Sequence, residues 1–299
     1  MSGLPQFYLP DLAAQWPWPR LLNQHYEEAK PESVEWLRSF EALDAKSQRS
    51  FDRCNFALLS SLGYPLLDKG SPPMFYGKSR GHPDKFLQIV SAFPYTDNLD
   101  GDGARDCADI VMRALRNPHK ERPQGESKLG EITRQFWLRA IKVASEAAQR
   151  RFLKSFAAYV YAVIDEASDR NAGRIRGITD YLELRRLTAG ACASLFSVEL
   201  GLDIPDEVMT HPAMESLLGL VADTIVLTND LYSYNNEQAA GHGGHNILTV
   251  VMNENGVDLD GALDWLEEYN GVVLSRVQAQ YRMLPSWGSR YGSHCHRIR

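Results

Sequence analysis

The sequence has few cysteines, no long apolar run and no excess of positive charge. Its four cysteines are scattered without a CxxC pair, and no export signal is visible, which indicates reduced thiols in a cytoplasmic protein. Nowhere do about eighteen apolar residues follow one another, so no membrane-spanning helix is expected. The net charge of −6 argues against nucleic acid as a partner, because binding to phosphates normally requires a basic surplus.

Helical periodicity dominates the rest of the chain. Apolar residues recur every three to four positions, no segment alternates as a strand would, and no repeat indicates a solenoid. A length of 299 residues fits one domain or two tightly packed ones. We therefore expect a single all-α domain over residues 1–299, a helical bundle around a central cavity or core. Helices are predicted over residues 32–43, with Pro31 suited to the first turn, and over 47–62, 104–115, 131–148, 151–166, 178–200, 213–236, 247–252 and 259–284.

The clearest chemical signal lies on the helix predicted to end near residue 236. Asn229, Ser233 and Glu237 are spaced i, i+4 and i+8, so they share one helical face over two turns. An amide oxygen, a hydroxyl and a carboxylate are hard donors that suit Mg²⁺. Residues 217–227 before them are strongly apolar, and a bound ion would offset the cost of burying polar groups there. The alternative is an exposed helix end whose polar side chains bind water.

Arg186 is the second candidate, 43 positions before Asn229. Gly190 follows within the same predicted helix, where glycine costs about 1 kcal/mol relative to alanine, which indicates a helix break or a close approach. An arginine turned inward beside a metal would bind diphosphate, because its fork matches phosphate oxygens. The alternative is a surface arginine paired with Glu183 or Glu199, and one of Arg185 and Arg186 is expected to do only that.

Taken together, these motifs resemble those of fungal class I terpene synthases, specifically the basidiomycete sesquiterpene synthases. The run NDLYSYNNE at residues 229–237 is similar to the second metal motif of that family, and Arg186 and Gly190 resemble its diphosphate sensor and helix-break effector. The similarity covers roughly residues 5–67 and 95–287 and is greatest to the subgroup associated with 1,11-cyclisation, including protoilludene synthases. Further family-like segments are residues 16–20, 109–112, 114–120, 134–137 and 244–247.

The resemblance implies an Mg²⁺-dependent sesquiterpene synthase that acts on farnesyl diphosphate. Three Mg²⁺ ions, held between an aspartate-rich motif and the Asn-Ser-Glu motif, would act with Arg186 to ionise the substrate. An apolar cavity would then guide the cation through ring closure. The expected partner is this small molecule, with the protein acting as a monomer or a homodimer. A prenyl-chain elongating enzyme shares the fold, but it normally carries a second aspartate-rich motif in place of Asn-Ser-Glu.

The chain departs from the family at the first metal motif. The expected aspartate-rich positions read FPYTD at residues 93–97, so only Asp97 remains as a candidate ligand and Phe93 replaces the leading aspartate. Residues 68–94, rich in proline and glycine, stand where an apolar helix is expected and resemble translated non-coding sequence. The alternative function is therefore a catalytically impaired or silent protein of the same fold.

Two further features are ambiguous. The C-terminus is shortened, and Arg290 and Tyr291 are either the diphosphate-binding Arg-Tyr pair of the family, brought forward by a deletion, or a coincidence. Residues 165–169 read DEASD and match the spacing of an aspartate-rich motif, but they lie outside the family register. We interpret them as a solvated helix end.

Overall fold

A computed structural model of the chain describes residues 8–66, 101–195, 199 and 203–287. Within these ranges all regular secondary structure is helical, as the sequence predicted, and no helix is both long and apolar enough to cross a bilayer. The first helices are α1 (Tyr26–Arg38), α2 (Ala45–Cys54), α3 (Phe56–Gly63), α4 (Gly101–Arg116), α5 (Lys128–Ala140) and α6 (Glu146–Asn171). They are followed by α7 (Ile178–Thr188), α8 (Ala191–Ser194), α9 (Asp206–Met209), α10 (Pro212–Ala240), α11 (Ile247–Asn255) and α12 (Leu259–Arg282).

One compact unit comprises the described residues of 19–161 and 193–205. Its core is aromatic, with Trp137 of α5 stacked on Phe152 of α6 at a ring separation of 4.7 Å. Phe156, one turn further along α6, continues the stack at 5.3 Å from Phe152. All three rings are almost fully buried, which accounts for the helical spacing of aromatic residues in this part of the sequence.

The other unit comprises the described residues up to Trp18, those of 162–192, and those from 206 onward. Helix α10 is packed against α7, α11 and α12. The apolar core includes Val226 and Leu227 of α10 and Val251 of α11, all inaccessible to solvent. At the N-terminal end, the backbone carbonyl of Leu12 accepts a 2.9 Å hydrogen bond from Asn270, which anchors this segment to α12.

Specific residues set the ends of α10 and the start of α11. Nδ1 of His211 accepts from the Ala213 N–H at 3.1 Å, and Pro212 occupies the first turn of α10. Gly241 ends α10 in the left-handed conformation, with φ of +78°. Asn246 then caps α11 by accepting from the Leu248 N–H at 3.0 Å. The polar end of α10 is thereby held next to the beginning of α11.

Several predicted helix boundaries were wrong. Pro31 lies inside α1 rather than in its first turn, because α1 begins at Tyr26. The helix predicted over residues 47–62 is divided at Asn55, whose φ of +49° ends α2 and begins α3. The break predicted at Gly190 is confirmed: α7 ends at Thr188, and Gly190 has a φ of +64°, a conformation that glycine adopts without steric cost.

Candidate active site

Three oxygen donors follow one face of α10 near its C-terminal end. Asn229 is exposed, whereas Ser233 and Glu237 are half-buried. The Ser233 hydroxyl oxygen is itself buried. Burial raises the pKa of Glu237, an effect that hydrogen bonds from Ser233 and from Asn246 oppose. The face therefore holds one buried hydroxyl between an amide and a carboxylate.

Asp230, next to Asn229, is fully buried and supports this face of α10 through its hydrogen bonds. Its carboxylate accepts hydrogen bonds from the Tyr181 hydroxyl, from the Ile247 N–H at 3.0 Å, and from Arg185 through Nε at 3.1 Å and Nη2 at 3.0 Å. Burial and the charge of Asp230 raise the pKa of Tyr181 well above its ordinary value, so the phenol remains a donor. A buried carboxylate with four donors is compensated, whereas an unpaired one would be strongly destabilising.

Two side chains connect Asp230 to Asn229 and Glu237, the first and last residues of the row of possible metal ligands. Nη2 of Arg185 lies 2.6 Å from Oδ1 of Asn229, so the same nitrogen binds Asn229 and Asp230. Nδ2 of Asn246 lies 2.7 Å from the backbone carbonyl oxygen of Asp230 and 2.8 Å from Oε2 of Glu237. Asn229 therefore shares Arg185 with Asp230, and Glu237 shares Asn246 with Asp230.

Arg186 binds a different carboxylate of α10. Its Nε lies 2.5 Å from Oδ1 of Asp223, and its Nη2 lies 3.0 Å from Oδ2, which makes a forked ion pair. The hydrogen bonds that Arg186 donates to Asp223 raise the pKa of Arg186, whose side chain is 38% exposed against 3% for Asp223. The surface pairing predicted with Glu199 is wrong, because Glu199 binds Arg151 at 2.6 Å. Both arginines instead bind acidic residues of α10.

The DEASD segment is only in part the solvated helix end that the sequence predicted. Asp165 is exposed, but Glu166 is half-buried, with Oε2 lying 3.0 Å from Nε2 of His245. Although burial raises the pKa of Glu166, the opposing effects of His245 and Arg185 are larger and hold it at about 2. Asp169 is buried and paired with Arg176. Glu166 and Asp169 therefore already have protein side chains as partners.

The other predicted site residues, Asp97, Arg290 and Tyr291, lie outside the described residues, as do residues 68–94. Among the residues that are described, no group of three or more His, Cys, Asp or Glu side chains could hold a metal ion. The Asn-Ser-Glu row, which contains a single carboxylate, is therefore the candidate metal site.

The donor set of this row fits a hard divalent cation. All three side chains offer oxygen, the element that Mg²⁺ prefers. When the Ser233 hydroxyl donates to Glu237, the two lone pairs of its oxygen remain available to a cation. Asn229 Oδ1 has two lone pairs and Glu237 has two oxygens, so each retains coordinating capacity beside its protein hydrogen bond. The residues present therefore fit a magnesium ion.

Sequence reasoning missed the supporting residues Asp230, Arg185 and Asn246. The sequence did contain a signal for Asp230, because Asp223 and Asp230 are seven residues apart and so lie on one face of α10. In the structure this face meets the two consecutive arginines of α7. Asn246 lies in the family-like segment 244–247, but nothing local in the sequence relates it to Glu237. That contact depends on how the turn after α10 folds back.

Comparison with known proteins identifies the family of the chain. The family model for terpene synthase family 2, C-terminal metal binding, matches residues 94–270. A Delta(6)-protoilludene synthase from Stereum hirsutum is 43% identical over 284 residues, which is 95% of this chain and 75% of the relative. Sesquiterpene synthase 9 from Postia placenta is also 43% identical, over 94% of this chain and 80% of its own length.

Solved structures share the fold at low sequence identity. A hedycaryol synthase in complex with nerolidol superposes with a TM-score of 0.75 at 21% identity, covering 93% of this chain and 88% of that structure. A variant of cucumene synthase gives 0.78 at 19% identity, covering 94% and 92%. With the family model spanning most of the chain and relatives above 40% identity, the chain belongs to terpene synthase family 2 and is a terpene cyclase, a carbon–oxygen lyase that acts on diphosphates.

Proposed function

We propose that the chain is a sesquiterpene synthase that uses Mg²⁺ to ionise and cyclise farnesyl diphosphate, releasing diphosphate. The observation that carries this proposal is the row Asn229, Ser233 and Glu237 on one face of α10, with a buried hydroxyl at its centre. Two relatives named as protoilludene synthases, from Stereum hirsutum and Armillaria gallica, support a protoilludene-type or other 1,11-cyclised product.

The metal ligands we propose are Asn229, Ser233 and Glu237, with Asp97 as a further ligand and three ions in total, the number implied by the family. When bound, magnesium supplies positive charge that stabilises the diphosphate as a leaving group. Asn229 and Glu237 are held in place by Arg185 and Asn246, so these two ligands need little reorganisation to bind an ion.

Arg186 is the diphosphate-binding residue that we propose, with Arg290 and Tyr291 as further contacts. Asp223 holds its guanidinium through Nε and Nη2, which fixes the plane of the fork and limits its rotation. Gly190 ends the helical segment one turn after Arg186, and we assign its left-handed break a role in moving Arg186 toward the substrate.

In the proposed reaction the carbon–oxygen bond of the substrate breaks, and its electron pair leaves with the diphosphate. The allylic cation that remains closes a ring by attack of an internal double bond, and loss of a proton gives a neutral hydrocarbon. An apolar cavity serves this sequence because water would capture the cation as an alcohol.

We further propose that residues 1–299 act as one terpene synthase domain, as a monomer or a homodimer, with this small molecule as the partner and no nucleic acid. The family match over residues 94–270 supports one domain, because it includes residues of both compact units.

The test is incubation of the purified chain with farnesyl diphosphate and Mg²⁺, followed by gas chromatography and mass spectrometry of the extracted hydrocarbons. A cyclised sesquiterpene is expected, and it should disappear with a chelator and in the matched variant Glu237→Gln, which keeps the side-chain shape but removes the carboxylate. A wild-type chain that makes no hydrocarbon above the Glu237→Gln control would contradict the proposal.

A catalytically silent protein is the second candidate, favoured by Phe93 at the position where the family has its leading aspartate. Phenylalanine has no lone pair to offer a metal, so this variant motif would bind fewer ions. The distinguishing variant is Phe93→Asp: if the wild-type chain is silent and this substitution alone creates hydrocarbon product, the second candidate is correct.

A further inference from the structure

Asn246 occupies the position where the turn after α10 meets α11, and it is inaccessible to solvent. Its side-chain oxygen already has a structural role, because it accepts the Leu248 N–H at 3.0 Å and caps α11. That role uses the carbonyl half of the amide. The NH₂ half remains available for a separate task.

Both hydrogens of that NH₂ group are directed at α10. One is donated to the backbone carbonyl of Asp230 at 2.7 Å and the other to Oε2 of Glu237 at 2.8 Å. An amide NH₂ has two hydrogens, so its donor capacity is fully used. The contact with Asp230 fixes Asn246 relative to the backbone of α10, and the contact with Glu237 fixes one carboxylate oxygen relative to Asn246.

This arrangement has a consequence for Glu237, which is otherwise near the end of its helix. A glutamate has three rotatable bonds and loses considerable conformational freedom when a metal immobilises it. Asn246 is itself fixed, because it is buried and bonded to the Leu248 N–H and to the Asp230 carbonyl. Its hydrogen bond therefore restricts the freedom of Glu237 before an ion binds. Partners of this kind typically change metal affinity by about 10–100-fold when they are removed.

We propose that Asn246 is a positioning residue for the metal site: it holds the Glu237 carboxylate in the orientation that receives magnesium. The proposal rests on the proposed function, because it assigns Glu237 as a ligand. It gives the family-like segment 244–247 a task in the reaction beyond starting a helix.

The test separates this task from the helix cap. Asn246→Ser and Asn246→Thr each keep a capping oxygen and remove the NH₂ donor without adding a charge. The matched control is Asp258→Ser, which changes the cap of α12, where Asp258 accepts from the Gly261 N–H at 3.0 Å. The readout is the binding of Mn²⁺, a spectroscopic substitute for Mg²⁺, in the presence of inorganic pyrophosphate, followed by electron paramagnetic resonance. Thermal unfolding of each variant checks the fold.

We expect both Asn246 variants to bind Mn²⁺ about 10–100-fold more weakly than the wild-type chain, while Asp258→Ser binds it normally. Equal Mn²⁺ affinity in the wild type and a folded Asn246→Ser or Asn246→Thr chain, with weaker binding in Glu237→Gln, would overturn the positioning role and leave the proposed function intact. Absence of Mn²⁺ binding in the wild-type chain would instead overturn the metal site and the positioning role with it.

Discussion

Nη2 of Arg185 lies 2.6 Å from Oδ1 of Asn229 and 3.0 Å from Oδ1 of Asp230. One nitrogen thus joins an exposed amide, the first member of the proposed ligand row, to a carboxylate that is wholly buried. The buried pair cannot be broken without leaving a charge in the core, so the position of Asn229 is coupled to the stability of the protein.

Replacement of Arg185 tests this coupling. Arg185→Met leaves Asp230 buried without its cation, and we expect the free energy of unfolding to fall by about 3–5 kcal/mol. The double variant Arg185→Met/Asp230→Asn should lose less than the sum of the two single variants, because the neutral amide no longer needs a counter-charge. Urea denaturation followed by circular dichroism gives these values.

The control for that experiment is Arg174→Met. Arg174 also pairs with a buried aspartate, Asp169, but at 3.6 Å and with 57% of its side chain exposed, and Arg176 remains bound to Asp169. Its removal should cost less than about 1 kcal/mol. A similar loss in Arg174→Met and Arg185→Met would show that Arg185 has no special place in the core.

Replacement of glycine by alanine should have opposite effects on stability at Gly190 and at Gly219. Gly190 has a φ of +64°, so Gly190→Ala forces a left-handed alanine and should destabilise the chain by about 1–2 kcal/mol. Gly219, inside α10, has open space where a Cβ would lie, and Gly219→Ala should stabilise by up to about 1 kcal/mol. Thermal unfolding checks both, and a stabilised Gly190→Ala chain would refute the strained break.

Glu166 should contribute stability in a definite pH range. Its pKa falls from 4.5 to about 2 on folding, so its contribution is complete above pH 4.5 and is lost as the pH falls toward 2. Full loss corresponds to about 3 kcal/mol. The difference in unfolding free energy between the wild type and Glu166→Gln should therefore shrink as the pH is lowered below 4.5.

An exposed neighbour provides the comparison for this pH series. Asp165→Asn should change the unfolding free energy by less than about 0.5 kcal/mol at every pH. If Glu166→Gln differs from the wild type by the same amount at pH 7 and at pH 3, then the ionised carboxylate of Glu166 does not stabilise the folded chain.

Arg186→Lys tests the proposed contact with diphosphate. Lysine keeps the charge but loses the planar fork that binds Asp223 in two places, so kcat/KM for farnesyl diphosphate should fall by at least about tenfold. Steady-state kinetics at saturating Mg²⁺ measures this. An unchanged kcat/KM in Arg186→Lys would show that Arg186 does not bind the diphosphate.

The all-helical fold was predictable because apolar periodicity depends on local spacing alone, and the shared face of Asn229, Ser233 and Glu237 follows from helix geometry in the same way. The ends of helices were less predictable: Pro31 is accommodated within α1, and the left-handed Asn55 divides one apolar stripe into two helices. The contacts of Arg185 and Asn246 were not predictable, because they join residues that are distant in sequence through tertiary packing.

The central claim is that Asn229, Ser233 and Glu237 together hold a divalent metal ion. X-ray diffraction from crystals containing Mn²⁺ and inorganic pyrophosphate, collected at the manganese absorption edge, tests it directly. We expect an anomalous peak within about 2.3 Å of Asn229 Oδ1, Ser233 Oγ and a Glu237 carboxylate oxygen. Pyrophosphate bound with manganese only at other side chains, and no peak at this row, would contradict it.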